Sequence, residues 1–199
     1  MTIKLAKLSA MALAIAAMPT AAFAHTEVAG GGFTYGFLHP WSGLDHVLAM
    51  VMVGLLAFQL GGRALWLVSA TFISVMVLGG ALGAAGVAVP FVELGIALSV
   101  VVLGAVAALN IKAPVAAAMG LVGLFAIFHG YAHGAEMPVL ADGLSYGGGF
   151  VVATALLHAA GIGLGHGLGA ASKRYGAMVS RAAGGLAALA GVGILTGVL

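Results

Sequence analysis

Apolar residues in this chain run in blocks of about twenty, divided by short stretches of Gly, Pro and charged residues. A bilayer core about 30 Å thick needs a helix of that length at 1.5 Å per residue, so each block is a candidate membrane span. Six are present, at residues 42–60, 64–85, 90–109, 114–133, 147–168 and 178–198. Pro90 and Pro114 open the third and fourth, and proline suits a first helical turn because no backbone N–H is needed there. A shorter apolar block, 8–18, precedes them all, with Lys4 and Lys7 before it and Pro19 and Ala22-Phe23-Ala24 after it. That order of basic, apolar and small residues predicts a secretory signal peptide cleaved after Ala24, and its core is too short to span. The expected fold is an all-α membrane protein: a signal peptide over 1–24, then a bundle of six transmembrane helices over 25–199.

Composition agrees and narrows the field. Of 199 residues, 63% are hydrophobic and only 6% charged, with a mean hydropathy of +1.21, whereas a soluble domain carries about a quarter charged residues. Most of the exterior must therefore face a lipid bilayer. The formal charge of +2 comes without a basic cluster, which argues against nucleic acid as a partner. The absence of cysteine excludes disulfides, thiolate metal sites and thiol catalysis. No G-x-x-x-x-G-K-[ST] loop is present, and Lys112 and Lys173 are the only lysines after the leader, so ATP-driven pumping by this chain is not expected.

Charge also sets the orientation. If the N-terminus is exported, alternation places Arg63, Lys112, Lys173, Arg174 and Arg181 all on the cytoplasmic side, as the positive-inside rule requires. Both mature termini would then be periplasmic. Lys4 and Lys7 leave with the leader, so five bases remain against five acids, and the acids lie at or near the opposite end.

The candidate chemistry collects at that same end. His39, Asp45 and His46 flank the start of the first span, Glu93 opens the third, and His129, His133 and Glu136 close the fourth. His129 and His133 are spaced i, i+4 and share a helix face. Each has a local reading: Ser42 and Asp45 outline a capping box, His39 before Pro40 is biased to an extended conformation, and a single interfacial histidine is commonly structural. Four imidazoles and three carboxylates from three helices at one depth point instead to a shared metal site. Imidazole with carboxylate and no thiolate suits Ni²⁺, Co²⁺, Zn²⁺ or Cu²⁺, and disfavours Cu⁺ and the all-oxygen sites of Mg²⁺ and Ca²⁺. Deeper in the fifth span, His158 lies near the midplane and His166 further toward the cytoplasm, a candidate inner pathway; Gly161, Gly165 and Gly169 form a packing stripe beside them. Mature His25, with its α-amine and Glu27 nearby, is a further chelating group, set against the plain reading of a frayed end.

Two runs carry a family resemblance. His39-Pro40-Trp41-Ser42-Gly43-Leu44-Asp45-His46-Val47-Leu48-Ala49-Met50 and Phe128-His129-Gly130-Tyr131-Ala132-His133-Gly134-Ala135-Glu136 resemble the two signatures of the HupE/UreJ family of bacterial nickel permeases. The His-x5-Asp-His spacing is also similar to the His-x4-Asp-His motif of the larger nickel/cobalt permease family, one residue longer here. The resemblance implies metal-handling roles for His39, Asp45, His46, Glu93, His133 and Glu136, with His129 a weaker ligand. It further implies Ni²⁺ as transported substrate; the ligand set leaves Co²⁺ or Zn²⁺ as alternatives, and no permanent cofactor is expected. The setting it implies is the bacterial inner membrane and the supply of hydrogenase or urease. The leading expectation is a secondary permease and not an enzyme. An intramembrane metallohydrolase using His129 and His133 is the runner-up, although H-E-x-x-H is lacking and Glu136 follows the pair instead of lying within it. A non-transporting metal-binding or scaffold protein is the third.

Overall fold

The computed structural model describes residues 32–138, 141–171 and 175–199. The expected leader, His25, Glu27, Lys173 and Arg174 lie outside the described residues. Regular structure within them is entirely helical: α1 (Gly32–Leu38), a short 3₁₀ turn (His39–Trp41), α2 (Leu44–Leu60), α3 (Ala64–Ala84), α4 (Val92–Leu109), α5 (Val115–Ala135), α6 (Gly143–Ala171) and α7 (Gly176–Leu195). α3 to α7 are each long and apolar enough to cross a membrane. α2, at 17 residues, makes a sixth span only together with α1 and the 3₁₀ turn, from which it is bent by 83°. Large apolar side chains such as Trp66, Leu78, Leu124, Leu186 and Leu189 face outward, as a surface solvated by lipid requires.

The helix starts correct three local expectations. Ser42 and Asp45 do not form a capping box: α2 starts after Gly43, and the Ser42 hydroxyl is already bonded to the His39 carbonyl at 2.6 Å. His39 is not extended but belongs to the 3₁₀ turn, in whose first residues Pro40 lacks an N–H at no cost. Pro90 and Pro114 sit just outside their helices: Pro114 is the residue before α5, and Phe91 intervenes before α4. Phe91 adopts a left-handed conformation at φ 60°, a strained choice for an aromatic residue, and this corner aims the first turn of α4.

In lipid, apolar side chains gain nothing by leaving solvent, so helices associate where small residues let backbones approach. Three non-consecutive pairs form in this way. α3 and α5 run parallel, with Gly79 and Gly83 against the Ile127 and Tyr131 carbonyls, and Gly130 and Gly134 against those of Met76 and Gly80. α2 and α6 run parallel through Gly54 and Gly161. α4 and α7 run antiparallel through Gly104, Gly184 and Gly191. α1 folds onto α6, where Gly36 meets the Tyr146 carbonyl and Gly149 that of Phe33.

The two ends of the bundle differ. At one, cations sit on C-terminal carbonyls, the favourable end of the helix dipole: Lys112 Nζ donates to Gln59 O, and Arg181 Nε donates to Ala108 O at 2.8 Å. Gln59 ties the same end together by donating to Ala107 O and to Ser180 Oγ. His39, His46, His129 and His133 occupy the other end with Asp45, Glu93 and Glu136.

A methyl group on Gly130 would run into the Met76 carbonyl, whereas one on Gly163 meets open space. We expect Gly130→Ala to destabilise the protein by about 2–3 kcal/mol through overpacking. Gly163→Ala should be neutral or stabilising by about 0.5–1 kcal/mol through helix propensity. Thermal unfolding of the detergent-purified protein compares them, and equal midpoints would contradict the backbone-contact account.

Candidate metal site

Four elements bring the site together. The 3₁₀ turn supplies His39, the first turn of α2 supplies Asp45 and His46, and the first turn of α4 supplies Glu93. The last two turns of α5 supply His129 and His133, with Glu136 capping its end. Between them lies a cavity of about 180 Å³ lined by His39, Asp45, His46, Glu93, His133 and Glu136. Exposure falls with depth: Glu93 and Glu136 are exposed, His39, Asp45 and His46 half-buried, and His133 and His129 buried.

The four imidazoles form a continuous series. Ring centroids are 4.7 Å apart for His39 and His133, 4.4 Å for His133 and His46, and 4.8 Å for His46 and His129, each pair meeting edge to face. Two of the rings have tautomers fixed by their partners. Asp45 Oδ1 accepts from the His46 backbone N–H at 2.7 Å and from His46 Nδ1 at 2.8 Å, which leaves the Nε2 lone pair unpartnered. A carboxylate that orients an imidazole in this way is the usual support of a metal-ligating histidine. The Ser99 hydroxyl donates its one proton to Ile96 O at 2.6 Å, so it must accept from His129 Nε2 at 2.8 Å. His129 Nδ1 is then a lone pair without a partner.

His133 has no partner on either nitrogen although it is buried, and its ring lies 3.9 Å from that of Phe150. Buried polar groups are normally satisfied, so free imidazole nitrogens at this density call for a ligand. One atom each from His39, His133 and Glu136 lies within 4.8 Å of the others, with His39 Nε2 and Glu136 Oε2 paired at 3.0 Å. Ligand atoms about 2.1 Å from one tetrahedral ion lie about 3.4 Å apart, so the widest of these separations has to close by about 1.4 Å for the three to share one cation.

Of the residues singled out in the sequence, the seven at the mouth are thus brought to one place, including His129. The two inner histidines are not. His158 lies midway along α6, buried, and meets the cluster only through Phe72, which packs against both it and His129. His166 is exposed, bonded through Nδ1 to Ile162 O at 3.0 Å and packed on Phe58. Ser99, Tyr146 and Phe150 were not legible as site residues. Ser99 carried a signal, being a lone hydroxyl inside an apolar span. Tyr146, whose buried hydroxyl is unpartnered beside Tyr35 and His39, belongs to a contact that only the folding of α1 onto α6 creates.

Fold and site together define a class: a multi-pass helical membrane protein with a cavity of histidines and carboxylates at one end of the bundle. Comparison with known proteins places it further. The family model described as HupE / UreJ protein matches residues 13–194, and the chain belongs to the HupE/UreJ family. It is 46% identical over 188 residues to Protein HupE of Rhizobium leguminosarum bv. viciae, covering 93% of this chain and 95% of that protein. No solved structure matches.

Ser99→Ala frees His129 to take either tautomer and removes the acceptor of its N–H. We expect metal affinity to fall about tenfold, the lower range for loss of a ligand-supporting partner. Ni²⁺ titration of the purified variant measures this, and unchanged affinity would remove His129 from the site.

Proposed function

We propose that this protein is a secondary permease that imports a divalent transition metal, Ni²⁺ foremost, across the bacterial inner membrane to supply metalloenzyme maturation. The observation that carries the reading is the convergence of unpartnered imidazole nitrogens, flanked by carboxylates, in a cavity at one end of a membrane bundle. Family membership supports the same direction, and the ligand chemistry suits Ni²⁺, with Co²⁺ or Zn²⁺ as alternatives.

Each group then has a part. Glu93 and Glu136, exposed at the mouth, attract a hydrated cation. Glu136, His39 and His133 replace part of its water, a step that opens the His39–Glu136 pair. His46, held by Asp45, and His129, held by Ser99, offer lone pairs at successive depths, so the ion exchanges ligands one at a time on its way in. A carrier must also release its cargo, and imidazoles beyond the outer carboxylates, which carry no fixed negative charge, serve that need. The basic end faces the cytoplasm in this reading, with the cavity and both mature termini in the periplasm.

Two measurements test it. In cells limited for nickel, His46→Ala and Glu93→Ala should each lower uptake of radiolabelled Ni²⁺ by about tenfold or more while the variants still reach the membrane. His166→Ala, remote from the cluster, should transport normally. Uptake unchanged by the first two variants would end the permease reading. For orientation, the chain has no cysteine of its own, so single cysteines can be mapped. Val87→Cys and Val198→Cys should react with an impermeant thiol reagent added to spheroplasts, and Ile111→Cys should react only after lysis.

A further inference from the structure

His158 lies midway along α6, is 1% exposed, and has no hydrogen-bond partner on either ring nitrogen. An N–H with nothing to bond is a cost in a buried site, and an apolar side chain of similar volume would fill the space without it. The surroundings hold the ring in place. Gly54 of α2 and Gly161 of α6 bring the two backbones together at the His158 carbonyl, so α6 has no slack at this turn.

Across the interior, two turns of α3 face two turns of α6. Phe72 meets the His158 ring edge to face with centroids 5.1 Å apart, and one turn along, Thr154 donates to Met76 Sδ at 3.6 Å. An imidazole, a thioether and a hydroxyl thus share neighbouring layers of one interface. Phe72 also lies 5.7 Å from the His129 ring, the innermost of the outer cluster, whose Nδ1 is unpartnered. Two free imidazoles thus pack against one aromatic ring.

We propose that His158 is a second metal-binding position, an inner station beside Phe72 for the same divalent transition metal that the outer cluster takes. Its part in transport rests on the permease reading, but its capacity to bind does not. One imidazole with neutral neighbours holds a dication more weakly than a site with carboxylates. An ion handed from the outer cluster would thus remain free to leave.

The test uses untagged full-length protein, in detergent for equilibrium binding and in proteoliposomes for flux, with Ni²⁺ as the probe. Wild type should bind one strong and one weak ion. His158→Leu should lose the weak ion and keep the strong one within about twofold, while His158→Cys, which restores a ligand, should recover it. Flux should fall about tenfold in His158→Leu and return in His158→Cys. The strong site reports folding; if His158→Leu loses it, His158→Phe against His158→Cys carries the same comparison. A weak site that survives an apolar residue at 158, or is absent from wild type, overturns the proposal. Loss of the weak ion in a protein whose wild type carries no flux would leave the inner station standing and end the permease reading instead.

Discussion

Everything in this bundle rests on backbone touching backbone. Hydrocarbon offers no hydrophobic force to press apolar helices together, and the association that remains comes from close van der Waals approach. The glycines of α5 show how tightly this is bound to the chemistry. In the run His129-Gly130-Tyr131-Ala132-His133-Gly134, histidines and glycines are both spaced i, i+4, each set on its own helix face about 100° from the other. The glycine face is pinned to the Met76 and Gly80 carbonyls of α3, and the histidine face is thereby turned toward His46 and His39. One short stretch of sequence therefore specifies both a helix interface and half of the imidazoles, and neither can be shifted without the other.

The site built on that frame is graded. The outer carboxylates sit where water can reach them, and with depth the groups are imidazoles and more buried. This order follows from the cost of carrying ionised groups into hydrocarbon. Asp45 is the exception, and it is placed where both its backbone and side-chain neighbours donate to it. Ser99 does the corresponding work one level deeper with a hydroxyl, which fixes a tautomer without bringing a charge. Two second partners of different chemistry thus prepare the same feature, an imidazole lone pair turned to the interior.

Much of this was legible in the sequence because it depends on composition and spacing. Blocks of about twenty apolar residues become helices whatever their packing, and the seven ionisable residues near the helix ends must share one depth once the spans alternate. What could not be read was local competition. The Ser42 hydroxyl is a good cap, but the 3₁₀ turn presents the His39 carbonyl to it first. α1 has seven residues, too few to announce itself by period, and exists by docking Gly36 onto α6. The separation of His158 from His166 was hidden for another reason. Their spacing of eight allows nearby faces, and only the place where Phe58 and Phe72 fall decides which ring is enclosed.

The pairing of α2 with α6 and of α3 with α5 has a consequence in time. Neighbours in space are not neighbours in the chain: α2 ends at Leu60, and α6 begins at Gly143. At a synthesis rate of about 5–20 residues per second, some eighty residues take roughly 4–16 s to appear. During that interval the face of α2 that meets α6 at Gly54 is bare. The finished bundle cannot be assembled as a succession of hairpins. The ligands that line the cavity all lie at or before Glu136, whereas the helix against which α2 packs comes afterwards, so the site's chemistry is complete in the nascent chain before its frame is.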